Sequence, residues 1–317
     1  MGPLAASFAI LLLLALACRI WLLSRQIASA RAARESVPDA FRDAVPAEAH
    51  RKASDYTVAN ARLAIGEAIL DALLLIALTW GGVLSVLDSM WRDRGVSGVL
   101  LGLAVIGSTG LFTALVGWPL SLYRVFGIET RFGFNRMTWR LYLGDLLKSL
   151  LLTIALGGPL LALVLWLMQK AGVYWWLYAW LAWAAFSLVL TWAYPAFIAP
   201  LFNRFRPLED AGLAQRIAAL VERCGFRSRG VFVMDGSRRS AHGNAYFTGF
   251  GANKRIVLFD TLIERLTAEE IEAVVAHELG HFRLHHIRRR MVITLAFGLA
   301  GLYVLGWLST QPVFFET

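Results

Sequence analysis

Six runs of apolar residues divide this chain, at about Leu4 to Leu23, Leu63 to Leu87, Val96 to Trp118, Leu146 to Met168, Val173 to Tyr194 and Met291 to Leu308. Each is close to the ~20 residues an α-helix needs to cross a bilayer. Between the fifth and sixth runs the pattern changes. From Pro195 to Arg290 the chain is polar, and short periodic segments replace the long apolar ones. Leu208 to Cys224 predicts a helix. Val231 to Met234, Ala245 to Thr248 and Arg255 to Phe259 predict short strands, the last two joined by the turn-rich Gly249-Phe250-Gly251-Ala252-Asn253. Thr267-x-x-Glu270 reads as a capping box that opens a helix at about Ala268. Ile271, Val274, Val275, Leu279 and Phe282 then fall on one stripe at 100° per residue.

Composition fixes the environment. The chain is 58% hydrophobic with 12 Trp, and its mean hydropathy is +0.58, too apolar for a soluble protein of 317 residues. The Trp residues are expected to anchor the spans at the interfaces. The first run lacks a basic leader, and Ala15-Leu16-Ala17-Cys18 is a poor lipoprotein cleavage box, so a retained helix is expected. Positive charges alternate between connections. Arg25, Arg31, Arg34, Arg42, Arg51, Lys52 and Arg62 follow the first run, whereas only Arg92 and Arg94 follow the second. Arg124, Arg131, Arg136 and Arg140 follow the third, only Lys170 follows the fourth, and the long polar stretch ends in Arg288-Arg289-Arg290. The positive-inside rule then places the N-terminus outside and the polar stretch in the cytosol. The net charge of +9 invites a nucleic-acid partner, but no basic stripe interleaved with aromatic residues supports one, and none is expected. Cys18 lies in an apolar run and Cys224 in the polar region, which excludes a disulfide framework. Richness in Ala, Leu, Arg and Gly with short connections points to a bacterial inner membrane. The expected fold is mainly α-helical and membrane-integral, with six transmembrane helices and a small cytosolic α+β region. Its parts are residues 1–194 with five spans, 195–290 as the polar region, and 291–317 with the sixth span.

The chemistry is concentrated in His277-Glu278-Leu279-Gly280-His281. HExxH on a helix is a zinc-hydrolase signature, because residues four apart share a face and two imidazoles can grip one metal. Glu278 lies about 100° away, placed to take a proton from an activated water. On the same wheel Glu278 falls inside the apolar stripe, with His277 and His281 along its edge. A carboxylate there costs several kcal/mol of desolvation unless something compensates it, and a zinc site would.

The surrounding residues carry a resemblance. Ser240-Ala241-His242-Gly243-Asn244-Ala245-Tyr246-Phe247, then Lys254-Arg255-Ile256-Val257-Leu258-Phe259-Asp260-Thr261-Leu262, then HELGHFRLHH resemble the CAAX prenyl protease 1 family of integral-membrane zinc metalloproteases. Phe134-Asn135-Arg136-Met137-Thr138 with Asp145 and Lys148, and Pro200-Leu201-Phe202-Asn203-Arg204-Phe205 with Pro207-Leu208, are similar to its pattern as well. Gly243 stands where the family often has serine. The resemblance implies a seven-helix barrel around a water-filled chamber and cleavage near the C-terminus of isoprenylated CAAX proteins. It also implies one Zn2+ per chain on His277 and His281, and Glu278 as the general base. The substrate backbone would be held by the strand around Asn244 and Ala245, with His242 and Tyr246 beside it.

A catalytic zinc takes three protein ligands. The metzincin extension needs histidine at position 287, which is Ile287. The family uses a glutamate well downstream, and the only acidic residue after His281 is Glu316, which the last span should carry to the opposite face. The expectation is a C-terminally shortened chain whose third ligand lies beyond residue 317. His285, one turn past His281, matches a family position, while His286 is expected at the membrane surface. Glu67 and Asp71 are spaced to line a wet chamber unless Glu67 is interfacial. Asp145 and Lys148 either pair or snorkel. Besides a CAAX-type endopeptidase, two readings stay open: a quality-control or processing protease for membrane proteins, and a non-catalytic scaffold that binds peptides.

Overall fold

The computed structural model describes residues 2–225, 230–248 and 255–312, without the side chains of Pro3, Thr248 and Phe282. The Gly249–Asn253 turn, Lys254 and Glu316 lie outside the described residues. The chain forms two compact units, one holding the residues up to Asn135 and the other Arg136–Trp307.

The first unit is built from α1 (Pro3–Ala33), α2 (Ala47–Leu78), α3 (Val83–Arg92) and α4 (Gly98–Leu122). Helices α1 and α2 extend well past the apolar runs that seeded them, because their polar ends find partners. Arg34 donates to both carboxylate oxygens of Asp55 at 2.8 and 3.0 Å, and Ser54 Oγ donates to the Ala30 carbonyl at 2.6 Å. Leu63 to Leu87, expected as one span, is bent by 49° where α2 gives way to α3. Gly82 supplies the turn with φ +74°, a left-handed conformation that suits glycine. Arg124 Nη2 reaches both oxygens of Glu67 at 2.7 and 2.6 Å, and Arg19 lies 3.8 Å from Asp71. The two carboxylates expected to line a chamber are therefore tied to arginines. Ion pairing is the cheapest way to keep a carboxylate on a membrane helix.

The second unit begins with α5 (Trp139–Leu152), α6 (Gly158–Lys170), α7 (Trp175–Ala193) and the short α8 (Ala199–Phe202), and it ends with α12 (His286–Leu308). Two stretches of wider π-helix, Thr153–Gly157 and Tyr194–Ile198, join α5 to α6 and α7 to α8. Helices α7 and α12 lie close. Trp180 Nε1 donates to the Leu295 carbonyl at 3.0 Å, and a Cβ on Gly298 or Gly306 would come within 2.6 Å of Trp183 or 2.5 Å of Trp176. These tryptophans pack helix on helix, using the small-residue logic of membrane packing. Along the described residues five helical stretches are long and apolar enough to cross a membrane, or six when the bent α2–α3 pair counts as one.

Between α8 and α12 lies the α+β region: β1 (Phe205–Pro207), α9 (Ala211–Arg223), β2 (Val231–Met234), β3 (Ala245–Thr248), β4 (Arg255–Phe259), α10 (Asp260–Ile263) and α11 (Ala268–Arg283). The sheet order is β1-β2-β4-β3, with β2 and β4 parallel and both outer pairs antiparallel, so β3 is an edge strand. One sheet face contributes Ala245, Ile256 and Leu258 to the core. Leu213, Ile217 and Val221 of α9 and Ile271, Val275 and Leu279 of α11 complete it. Both helices present an i, i+4, i+8 stripe, as the pattern predicts. The capping box forms as expected: Glu270 N–H donates to Thr267 Oγ1 at 3.3 Å, and Thr267 N–H donates to Glu270 Oε2 at 2.8 Å.

Candidate active site

Three elements of the second unit converge on a cavity of about 350 Å3, lined by Tyr246 and Phe247 of β3, Glu278 and His281 of α11, and His286, Ile287 and Arg290 of α12. Helix α11 ends at Arg283 and α12 begins three residues later. His285, with φ +56°, lies in the turn between them. That turn brings His286 against His281. His286, expected at the membrane surface, lies against His281 and lines the cavity, whereas His285, which matches a family position, does not line it. The positive φ at His285, a conformation rare outside glycine, is a backbone event that helical spacing does not register.

His277 and His281 are four apart on α11, and their Nε2 atoms face each other at 3.1 Å, with the rings nearly perpendicular. Tetrahedral zinc with Zn–N bonds of about 2.0–2.1 Å needs two imidazole nitrogens roughly 3.3 Å apart, so this pair fits a shared metal. The other nitrogen of His281, Nδ1, lies 2.8 Å from His286 Nδ1. A proton on His281 Nδ1, donated to His286, leaves His281 Nε2 as a bare lone pair, which is the tautomer a metal ligand requires. Because it engages the opposite side of the ring, His286 orients His281 and is not a third ligand. No group of three His, Cys, Asp or Glu with metal-binding geometry occurs among the described residues.

Glu278 is half-buried, and no hydrogen bond or ion pair joins it to a described residue. The wheel put it within the apolar stripe; in three dimensions it sits at the stripe's edge, on the cavity wall, with Ile271, Val275 and Leu279 taking the packed positions. Tyr246 closes the cavity from the strand side. Burial, with a smaller contribution from the neighbouring Tyr194, pushes its phenol up to about 12, so it keeps its proton.

The remaining strand residues take different places. Phe259 N–H donates to the Asn244 carbonyl at 2.9 Å, and antiparallel alternation then turns the backbone groups of Ala245 and Phe247 away from β4, toward the open edge. The Asn244 side chain accepts from the Ala245 amide at 2.8 Å. Ala245 itself packs into the core. His242 and Asn244 are exposed and do not line the cavity. The His242 carbonyl accepts from Thr261 Oγ1 at 2.8 Å. A Cβ on Gly243 would come within 3.1 Å of Leu262 Cδ1, which accounts for glycine at this crowded bend.

The loop leading to β3 is held by Arg239. Its guanidinium makes a bidentate pair with Asp145 of α5 at 2.7 and 3.0 Å, and it also donates to Asn203 Oδ1 and to the Phe202 carbonyl. Lys148 is 3.9 Å from Asp145 but donates to the Leu201 carbonyl at 2.9 Å. Asp145 and Lys148 thus belong to one polar clamp between α5, the end of α8 and the β3 approach.

Comparisons with known proteins give the family of this chain. Residues 26–204 match the family described as CAAX prenyl protease N-terminal, five membrane helices, and residues 207–312 match peptidase family M48. The CAAX prenyl protease 1 of Saccharomyces cerevisiae is 38% identical over 271 residues, covering 81% of this chain and 59% of that protein. The Arabidopsis thaliana CAAX prenyl protease 1 homolog is 40% identical over 239 residues, covering 71% and 56%. This chain thus spans less than two thirds of the length of these relatives. The crystal structure of S. mikatae Ste24p superposes with a TM-score of 0.90 at 31% identity, over 99% of this chain and 74% of that one.

Proposed function

Because the chain belongs to the CAAX prenyl protease 1 family of integral-membrane M48 peptidases, we propose that it is a zinc-dependent membrane endopeptidase with Glu278 as its general base. The observation that carries this reading is the facing pair of Nε2 atoms on His277 and His281, with Glu278 free in the adjoining cavity. His277 and His281 would hold the metal, and a third ligand is expected from the glutamate the family supplies downstream. When bound, zinc supplies the Lewis acidity that polarises a carbonyl and makes water acidic enough to ionise near neutral pH. Glu278 takes the proton of the attacking water and passes it to the leaving amine. His286 holds His281 in its ligating tautomer. The substrate lies extended along the edge of β3, bonded to the outward Ala245 carbonyl and the outward backbone groups of Phe247 by strand addition. Asn244 and His242 guide its approach, and Tyr246 offers a phenolic proton. The substrate is a peptide or protein, C-terminally prenylated as the relatives' names suggest. The charge alternation supports a cytosolic site and an external N-terminus.

Zinc content per chain and cleavage of matched prenylated and unmodified peptides test this reading together. Stoichiometric zinc lost in His281→Ala, with prenyl-dependent cleavage, is expected. Equal cleavage of both peptides would point to general membrane-protein processing. The lack of a third donor among the described residues favours one further reading, a peptide-binding scaffold, whose signature is binding without metal-dependent cleavage.

A further inference from the structure

Arg290 has no place in the reaction described so far, yet it lines the same cavity as Glu278. Three arginines follow one another in the first turns of α12, where no acidic residue offsets the positive end of the helix dipole. A requirement for positive charge on the cytosolic side would be met by any of them. At about 100° per residue, His286, Arg290 and Ile287 share one arc of roughly 100°, and Arg288 and Arg289 fall outside it. Only Arg290 is aimed into the cavity. Among the described residues its guanidinium has no carboxylate partner within 4.0 Å, Glu278 included. Tyr246, Phe247 and Ile287 give that cavity its apolar surface, beside Glu278, His281 and His286. An unpaired guanidinium beside apolar surface attracts an anion strongly, and its planar fork fits a carboxylate.

We propose that Arg290 is a specificity-determining residue that takes a carboxylate of the bound peptide. This rests on the peptidase reading above. The carboxylate has two sources, the free C-terminus of the peptide or an acidic side chain near the scissile bond. Four fluorescent peptides of one sequence separate them: free acid, C-terminal amide, amide with an internal Glu, and amide with Gln in its place. Binding is read by anisotropy in detergent with zinc present, on protein carrying Glu278→Gln so that turnover does not intervene. One of the two matched pairs should show a preference for the carboxylate of ~10- to 100-fold, the range of charge-assisted hydrogen bonds. Arg290→Gln should bring that ratio close to one, Arg290→Lys should keep part of it, and Arg288→Gln should keep it whole. A preference that survives Arg290→Gln, or its absence from both pairs in protein with Arg290 intact, overturns the assignment and leaves the peptidase reading standing. Failure to bind any peptide, together with no cleavage when Glu278 is intact, overturns both.

Discussion

Glu67 on α2 and Glu278 on α11 are both partly buried carboxylates on helices, and the protein treats them in opposite ways. Glu67 is gripped by Arg124 through both oxygens, whereas Glu278 faces a cavity and bonds to no described residue. A carboxylate tied to an arginine has its charge compensated and is worth most when left undisturbed. One left open at a cavity carries a desolvation cost that only water, metal or substrate relieves. The difference separates a paired carboxylate from one left available to a ligand, as the proposed general base requires. The same contrast sets Arg239, held by Asp145, Asn203 and Phe202, against Arg290, held by nothing described.

The largest effect should come from the open carboxylate. Glu278→Gln is expected to lower peptide cleavage by up to about 10⁴-fold, the upper range for loss of a general base, while zinc content stays near that of the parent. Substantial cleavage by well-purified Glu278→Gln protein would sink the assignment of the base. His286→Ala should weaken zinc binding by about 10- to 100-fold, as removal of a group that orients a metal-ligating histidine does. His286→Gln should restore part of it, which competition with a zinc chelator would measure. At the tied carboxylate the loss should appear in stability instead. Glu67→Gln leaves Arg124 unpaired and should cost on the order of 2 kcal/mol, below the figure for a fully buried pair because both side chains keep some exposure. Replacing Arg124 as well should recover part of that in detergent melting, and additive losses would show that the pair is not coupled. The smallest effect is at the capping box. Hydrogen bonds from the Thr267 backbone and hydroxyl hold the Glu270 carboxyl below its ordinary range. That contribution is present above the unfolded value of about 4.3 and is lost as pH falls through the lower folded one. Thr267→Ala should lower Tm by about 2–4 °C at neutral pH, and the gap should close on acidification.

Much of this was legible because it depends on periodicity. The apolar runs, the strands at Val231–Met234, Ala245–Thr248 and Arg255–Phe259, and the capped stripe of α11 each follow from the spacing of apolar residues along a local element. His277 and His281 meet because a helix turns 100° per residue, whatever surrounds it. The bend between α2 and α3 was harder to see, since Leu63 to Leu87 reads as one unbroken apolar run and only the left-handed Gly82 marks the break. The helical extensions beyond the first two runs were also hidden, because their support is the Arg34–Asp55 pair between two helices.

Sequence alone therefore determined the membrane class, the α+β insertion and the facing pair of His277 and His281, all of them properties of consecutive residues in regular geometry. Tertiary structure alone decided which polar groups are tied and which are open. The turn at His285 precedes the two α12 residues that line the cavity, His286 and Arg290, Asp145 finds Arg239 across 94 positions of chain, and Glu67 finds Arg124 across 57. Such pairings depend on where distant elements are packed, and charge–charge attraction acts through space with no period along the chain.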